Sequence, residues 1–423
     1  MTSLLITLHL LFSQAAEPPA APPADAAAVR QLMEEANNSI EEAVAARRAG
    51  DAGRAAALTA RARRAAELLD SGHHLTFTLE RHTTIGAWTD EQTARAVEAW
   101  GLLRGAEADP LHTNSGTFAR VLDSCRAIGD RWCEGRALAA RAESFAQSPL
   151  APEVREDLLA AEPILREAGP SPTLARTLVL MRGAGAPPAE MVAKARERYA
   201  EAILISEALE DPATTGRALC ESVRLDLAAG QQDAARANLD RIAAIAKSAG
   251  APRVAACGAY FEGLSRYFAR DPKGAREAWD QFAASPAARN APRESIWILV
   301  GGSAASIDLR DYEGSVTRAR HAVEIGARLN GDADLLAAYC NLAGGLTQTG
   351  RRAEAEPFAR RCLDLSRVHK RRDAEAAGLR RLGDLTGNAE DALDLHRQAL
   401  AIHREIKNER EVGWSLLSVA VDL

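Results

Sequence analysis

Small residues recur at a fixed interval along the second half of this chain. Counting back in steps of 40 from Ala355 gives Ser315, Ala275, Ala235 and Ala195, and Ala392 continues the series after a three-residue shortening. Ten residues beyond these positions stand Ile205, Ile245, Ser285, Ile325, Leu365 and Ile402, aliphatic in all but one unit. A period of this length, held over about six units, specifies a repeat array in which each unit buries its apolar face only against its neighbours. That constraint outranks length, since 423 residues would otherwise suggest two or three separate domains.

Each unit reads as a helical hairpin. Apolar residues recur three and four apart, the period of an amphipathic helix. Hydrophobic residues make up 47% of the chain but aromatics only 4%, and a core of Ala and Leu favours closely packed helices over sheet. Gly50, Gly230, Gly350 and Gly387 each stand five residues before a small position, where a positive φ would close one helix. Asp211-Pro212 and Asp271-Pro272 supply an N-cap acceptor followed by a proline at the first helical position. The small residues then mark where the second helix of a hairpin crosses the first. Helix axes approach to about 8–10 Å only over short side chains, and a leucine at Ala355 would overpack the crossing.

Residues 334–373 carry the pattern most fully. Tyr339, Leu342, Ala343 and Leu346 give bulky, Leu, small and bulky on the first helix; Ala355, Ala359 and Cys362 lie on the second. Tyr199 and Trp279 put a larger residue at the place of Ala359 in other units. In these positions the chain resembles the tetratricopeptide repeat (TPR) family, in its long, 40-residue-period bacterial form, over residues 190–423 and more loosely over 26–190. The resemblance implies an all-α fold, a right-handed α-solenoid of TPR-like helical hairpins, whose groove binds a peptide or protein partner. It does not carry over the family's chaperone-tail clamp, whose Lys and Asn places hold Cys340 and Gly344.

The N-terminal region is organised differently. Leu4–Phe12 is an apolar run too short to span a bilayer. Ser13-Gln14-Ala15 follows, with small residues where a signal peptidase reads, although no Lys or Arg precedes the run. The reading is a signal peptide over 1–16, a Pro/Ala-rich tether over 17–28, irregular helical repeats over 29–190 and the TPR-like array over 191–423. Such a chain is exported, periplasmic or secreted, or is cytoplasmic if the leader is a chance apolar run. Helices are expected near 89–104, 115–128, 131–147 and 152–168. The Thr-rich stretch SGHHLTFTLERHTTIGAWTD, residues 71–90, fits no repeat and reads as a connector.

His73, His74 and His82 would gather a metal only if that stretch folded back, with Glu80 the one acid at ligand spacing; no metal is assigned. Of six cysteines, Cys125 and Cys133 flank a turn at Asp130. Cys220 and Cys257 lie on neighbouring first helices, and Cys340 and Cys362 stand at similar heights on paired helices. Export would permit disulfides. Buried thiols more often fill small-residue slots and disulfide geometry is exacting, so free thiols are the expectation. Arg351, Arg352, Arg360 and Arg361 open a locally basic run reaching Arg381, which would either receive an acidic peptide or serve as solvated helix faces.

No phosphate-cradling loop, zinc-protease motif or nucleophile elbow occurs, and no cofactor is expected. The glycines of LVGGSAAS fall on a first helix, where close packing explains them. A net charge of −6 argues against a general nucleic-acid binder, and no segment is long enough for a membrane span. The expected function is a non-catalytic scaffold or adaptor for a protein or peptide partner. The alternative is the sensing or regulatory region of a larger effector, for example a CHAT-type peptidase. The ending EVGWSLLSVAVDL reads as a first helix without its second, offering Trp414, Leu416 and Leu423 for self-association through residues 410–423.

Overall fold

The computed structural model describes residues 26–73, 77–108, 115–145, 152–182, 184, 190–329 and 335–422. The expected signal peptide and nearly all of the tether lie outside them. The described residues are helical, without a strand, and group into two compact units, one ending at Gln231 and the other starting at Gln232.

The first unit holds α1 (Ala26–Arg48), α2 (Ala52–His73), α3 (Phe77–Gly86), α4 (Asp90–Ala108), α5 (Ser115–Ile128), α6 (Arg131–Phe145), α7 (Pro152–Ala168), α8 (Pro172–Met181), α9 (Met191–Ala208) and α10 (Pro212–Ala228). Helices α1, α4, α6, α8 and α10 lie each against the next and form a first layer; α2, α5, α7 and α9 stand behind them. The second unit holds α11 (Gln232–Ala249), α12 (Pro252–Phe268), α13 (Pro272–Ala283), α14 (Pro286–Arg289), α15 (Pro292–Asp308), α16 (Tyr312–Leu329), α17 (Leu336–Gln348), α18 (Arg352–Val368), α19 (Arg372–Leu385), α20 (Ala389–Glu405) and α21 (Glu409–Asp422). There α12, α15, α17 and α19 form the first layer in the same way. The four helices expected between 89 and 168 all form, within a few residues of the expected ends.

One turn joins most of these helices. The last residue of the link takes a left-handed conformation, and the next residue both caps and starts the following helix. Seven of the left-handed residues, Glu210, Gly230, Gly250, Arg270, Arg310, Gly350 and Lys370, stand 20 or 40 residues apart, whereas Gly129, Gly169, Arg182 and Lys407 fall out of that phase. After each of the seven except Gly250 the next residue closes the turn by donating back five positions, as in Asp211 N to Ser206 O at 2.8 Å, Gln231 N to Asp226 O at 2.8 Å, Asp311 N to Ser306 O at 2.8 Å and Arg351 N to Leu346 O at 2.9 Å. This satisfies carbonyls that a helix end leaves open. Asp211, Asp271 and Asp311 then accept from the backbone of Thr214, Gly274 and Gly314 at 3.1, 2.8 and 3.0 Å, so the two Asp-Pro caps expected from sequence are in place. Gly387 is a correction: its φ is not positive, and the chain leaves α19 through an extended Thr386 before Asn388 caps α20.

The small-residue series is buried throughout. Ala195, Ala235, Ala275, Ser315, Ala355 and Ala392 all lie in the first turns of second-layer helices and all are buried. Ser315 meets Ser303 of α15 through their hydroxyls at 2.9 Å. Ala355 joins Val316, Ala319, Leu342 and Leu346 in one cluster, and Ala343 is likewise buried. Tyr339 stacks on Phe358, ring centroids 6.2 Å apart. The larger residues Tyr199 and Trp279 are among the most deeply buried side chains. Ten residues on, Ile205, Leu365 and Ile402 are buried, whereas Ile245 and Ile325 are half-buried. Ser285 breaks the series because α13 stops at Ala283 and Pro286 starts the one-turn α14.

The expectation of free thiols fails. Cys125 is bonded to Cys133 and Cys340 to Cys362, with Cα atoms 5.6 and 5.1 Å apart. Two antiparallel helices crossing over small residues bring backbones within the span a disulfide needs, so the packing that permits a buried thiol also permits its oxidation.

Candidate functional site

The stretch read as a connector contributes a helix whose centre is in the core. On α3, Phe77, Thr78, Arg81 and Ile85 are buried, one face of an amphipathic helix. Arg81 Nε and Nη2 donate to the two carboxylate oxygens of Asp130, both at 2.9 Å. Its remaining donors reach Asn37 Oδ1 at 2.5 Å and Glu41 Oε1 at 3.2 Å, and its guanidinium lies 5.5 Å from the Trp100 ring centre. Asp130 also accepts from Trp100 Nε1 at 2.9 Å and, as the N-cap of α6, from Cys133 N at 3.2 Å. Burial pushes the Asp130 carboxyl up, but the Arg81 cation and these hydrogen bonds outweigh it and hold the group below the usual carboxylate range.

Charges continue from this node along the first layer. Glu41 accepts from Arg104 of α4 at 3.0 Å. Arg136 of α6 grips Glu107 of α4 through two bonds, 2.9 and 2.5 Å. Glu143 of α6 meets Arg176 of α8 at 3.8 Å and Arg217 of α10 at 3.3 Å, and Glu221 of α10 meets Arg182 at 3.6 Å. Acids and bases thus alternate from helix to helix. A cleft of about 200 Å³ opens within this row, lined by Glu107, Arg136, Ala139, Ala140, Glu143, Thr173, Arg176, Thr177 and Leu180. On α6 and α8 these residues stand three, four and seven apart, so each helix presents one face. Two alanines and two threonines leave the space; two ion pairs set its polarity. The arrangement suits recognition by charge and hydrogen bonding. Sequence reasoning missed it, because the acids and bases that pair sit up to 74 residues apart and look like ordinary solvated helix faces.

The positions singled out in sequence are dispersed. Arg351 pairs with Glu354 at 2.5 Å and with Glu313 at 3.7 Å, Arg352 donates to Asp384 O at 2.7 Å, and Arg360 pairs with Glu356 at 2.7 Å. These three and Arg361 belong to α18 and its N-cap. Leu416 of α21 is exposed, with Leu417 and Val421; the side chains of Trp414 and Leu423 lie outside the described residues. His82 Nε2 lies 3.3 Å from Thr59 O, and the side chains of His73 and His74 are also outside. Among the described residues no helix is long and apolar enough to cross a membrane.

A signal transduction ATPase with numerous domains from Pyrococcus horikoshii, a protein with a tetratricopeptide repeat sensor, is similar in structure. The TM-score is 0.53 at 13% identity, over 79% of this chain, which spans half the length of that protein. At this identity the likeness concerns the fold, a TPR-like array of helical hairpins. No family model and no curated protein matches the sequence.

Proposed function

We propose that this chain is a non-catalytic scaffold of the long-period TPR type that binds a peptide or protein partner across the first layer of its N-terminal unit. The observation that carries the reading is the alternating row of ion pairs around the cleft between α4, α6 and α8. A partner with complementary charges exchanges these half-exposed pairs for its own, which sets register and orientation more than raw affinity. The test is capture from the native host with the wild-type chain and with the reversed pair Glu143→Arg, Arg176→Glu. Wild type should retain a partner that the reversed chain loses while melting at a similar temperature. Equal retention by both would overturn the assignment of this face.

A second reading is favoured by the structural neighbour: the array would act as the sensing region of a larger effector, as a TPR sensor does in that ATPase by its description. Export is the third element. The pairs Cys125–Cys133 and Cys340–Cys362 support it, because such bonds persist in oxidising compartments. Mass spectrometry of native material should find a new N-terminus at Ala16 or Glu17; an intact Met1 would rule it out. Self-association through α21 is supported by the exposed Leu416, Leu417 and Val421, and sedimentation of a Leu416→Glu, Val421→Glu variant tests it.

A further inference from the structure

Arg380 and Arg381 are adjacent on α19, in the first layer of the second unit. Arg381 lies across a bare stretch of α17: a methyl group on Gly344 would stand 3.0 Å from its Nη2 and 3.1 Å from its Cζ and Nε. The two side chains are only 18% and 14% exposed. By contrast, Arg318 is gripped by Asp280 through two bonds at 2.8 and 2.5 Å, and the more deeply buried Arg198 places Nη1 on Arg182 O and Ala184 O and Nη2 on Glu162. Here the donors are nearly idle. Among the described residues Arg381 makes one hydrogen bond, a long one to Asp384 on its own helix at 3.5 Å. Arg380 Nε is buried with no hydrogen-bond partner among the described residues, and its Nη2 comes no closer than 4.0 Å to Glu411.

A guanidinium carries five donors in a planar fork made for oxyanions. Leaving them unused in an enclosed place costs stability, and an unsatisfied buried group calls for a cause. Burial, and after it the neighbouring Arg380 charge, draw Arg381 down to about 10. The strain fits a site that is completed by something else.

We propose that Arg380 and Arg381 anchor a side-chain carboxylate of an acidic peptide segment lying across α17 and α19. Gly344 makes room for the fork, and Asp384 is held aside by His396 Nε2 at 3.3 Å, while Arg352 binds its main-chain oxygen at 2.7 Å. Asp384 and Glu411 already offset the two cations, so a monoanion enters with less repulsion than a phosphate dianion. The proposal rests on the protein-binding reading but on a different unit from the cleft, so either can fail alone.

The test uses the full chain and a fluorescein-labelled hexaglutamate peptide, read by anisotropy. Wild type should bind it, and Arg381→Gln and Arg380→Gln should each weaken binding about tenfold or more, worth roughly one decade in Kd. Arg360→Gln, on an exposed face, should change it less than about twofold. Arg381→Gln and Arg381→Met should also melt about 2–4 °C higher, because they remove a poorly compensated buried cation. Absence of binding by wild type, equal loss in Arg360→Gln, or full displacement by millimolar inorganic phosphate would each overturn the proposal. So would a lower melting temperature in both Arg381 variants, which would make the residue a structural one.

Discussion

Trp279 of α13 lies so close to Gly263 of α12 that a methyl group on the glycine would sit 2.2 Å from the indole ring. On its other side the ring leaves 2.9 Å to the same position on Gly301 of α15. The indole is a slab between two first-layer helices, and its Nε1 donates to Tyr260 O at 3.1 Å. The glycines of LVGGSAAS are thus packing residues, as their place on a first helix implied. Gly263→Ala should destabilise the second unit by about 1–3 kcal/mol despite the better helix propensity of alanine. Gly105→Ala in α4, where nothing lies within 4 Å, should instead stabilise by up to about 1 kcal/mol. Urea unfolding of the two variants checks the opposite signs.

Breaking the Arg81–Asp130 pair should be far costlier than breaking a surface pair. Asp130→Ala leaves the buried Arg81 cation with Glu41 as its carboxylate partner and removes the α6 cap, which together should cost about 3–5 kcal/mol. Arg63→Ala, exposed and paired with Glu67, should stay within about 0.5 kcal/mol. Circular-dichroism melts separate the two.

The same pair gives an acid dependence. The Asp130 carboxyl is held below its ordinary value in the folded chain and returns to roughly 4 when unfolded. Its stabilisation is therefore complete above the unfolded value and is lost as pH falls toward the depressed folded value. Melting temperature should fall from about pH 4 downward, and the fall should be shallower in an Arg81→Met, Asp130→Leu double variant.

Left-handed arginines and lysines should be improvable. Arg270, Arg310 and Lys370 carry φ of 64, 59 and 53°, a conformation that costs a side-chain-bearing residue about 1 kcal/mol and a glycine little. Arg310→Gly should raise the melting temperature, and adding Arg270→Gly should raise it again, because the turns are separate. An unchanged temperature would mean that the turn is not limiting.

Reduction should loosen the α17–α18 hairpin. Cys340 and Cys362 close a loop of 22 residues, which corresponds to about 3 kcal/mol in chain entropy. Without reductant, thiol titration of the unfolded chain should leave Cys125, Cys133, Cys340 and Cys362 unmodified. With reductant, the second unit should melt lower.

Which parts were legible follows from the range of the interactions. The 40-residue step, the amphipathic helices and the Asp-Pro caps depend on neighbours within one or two turns, so Ala355, Asp211 and Pro212 announce themselves in the sequence alone. The turns at Arg270, Arg310 and Lys370 did not, because tertiary packing forces a residue into a conformation its own propensity disfavours. Glycine marked only some members of the left-handed series, and the series itself lapses at Asn290, whose φ is −96°.

The sequence by itself determined the helical repeat, its register and the small residues at each crossing, because burial of an Ala-rich stripe leaves a helix few other ways to pack. The tertiary structure alone decided what meets across the chain. It set Arg81 against Asp130, 49 residues away, closed Cys340 onto Cys362, and laid Arg381 over Gly344 with its donors nearly unused. Charge and desolvation depend on distances in space, and a linear pattern holds those only for residues on the same helical face.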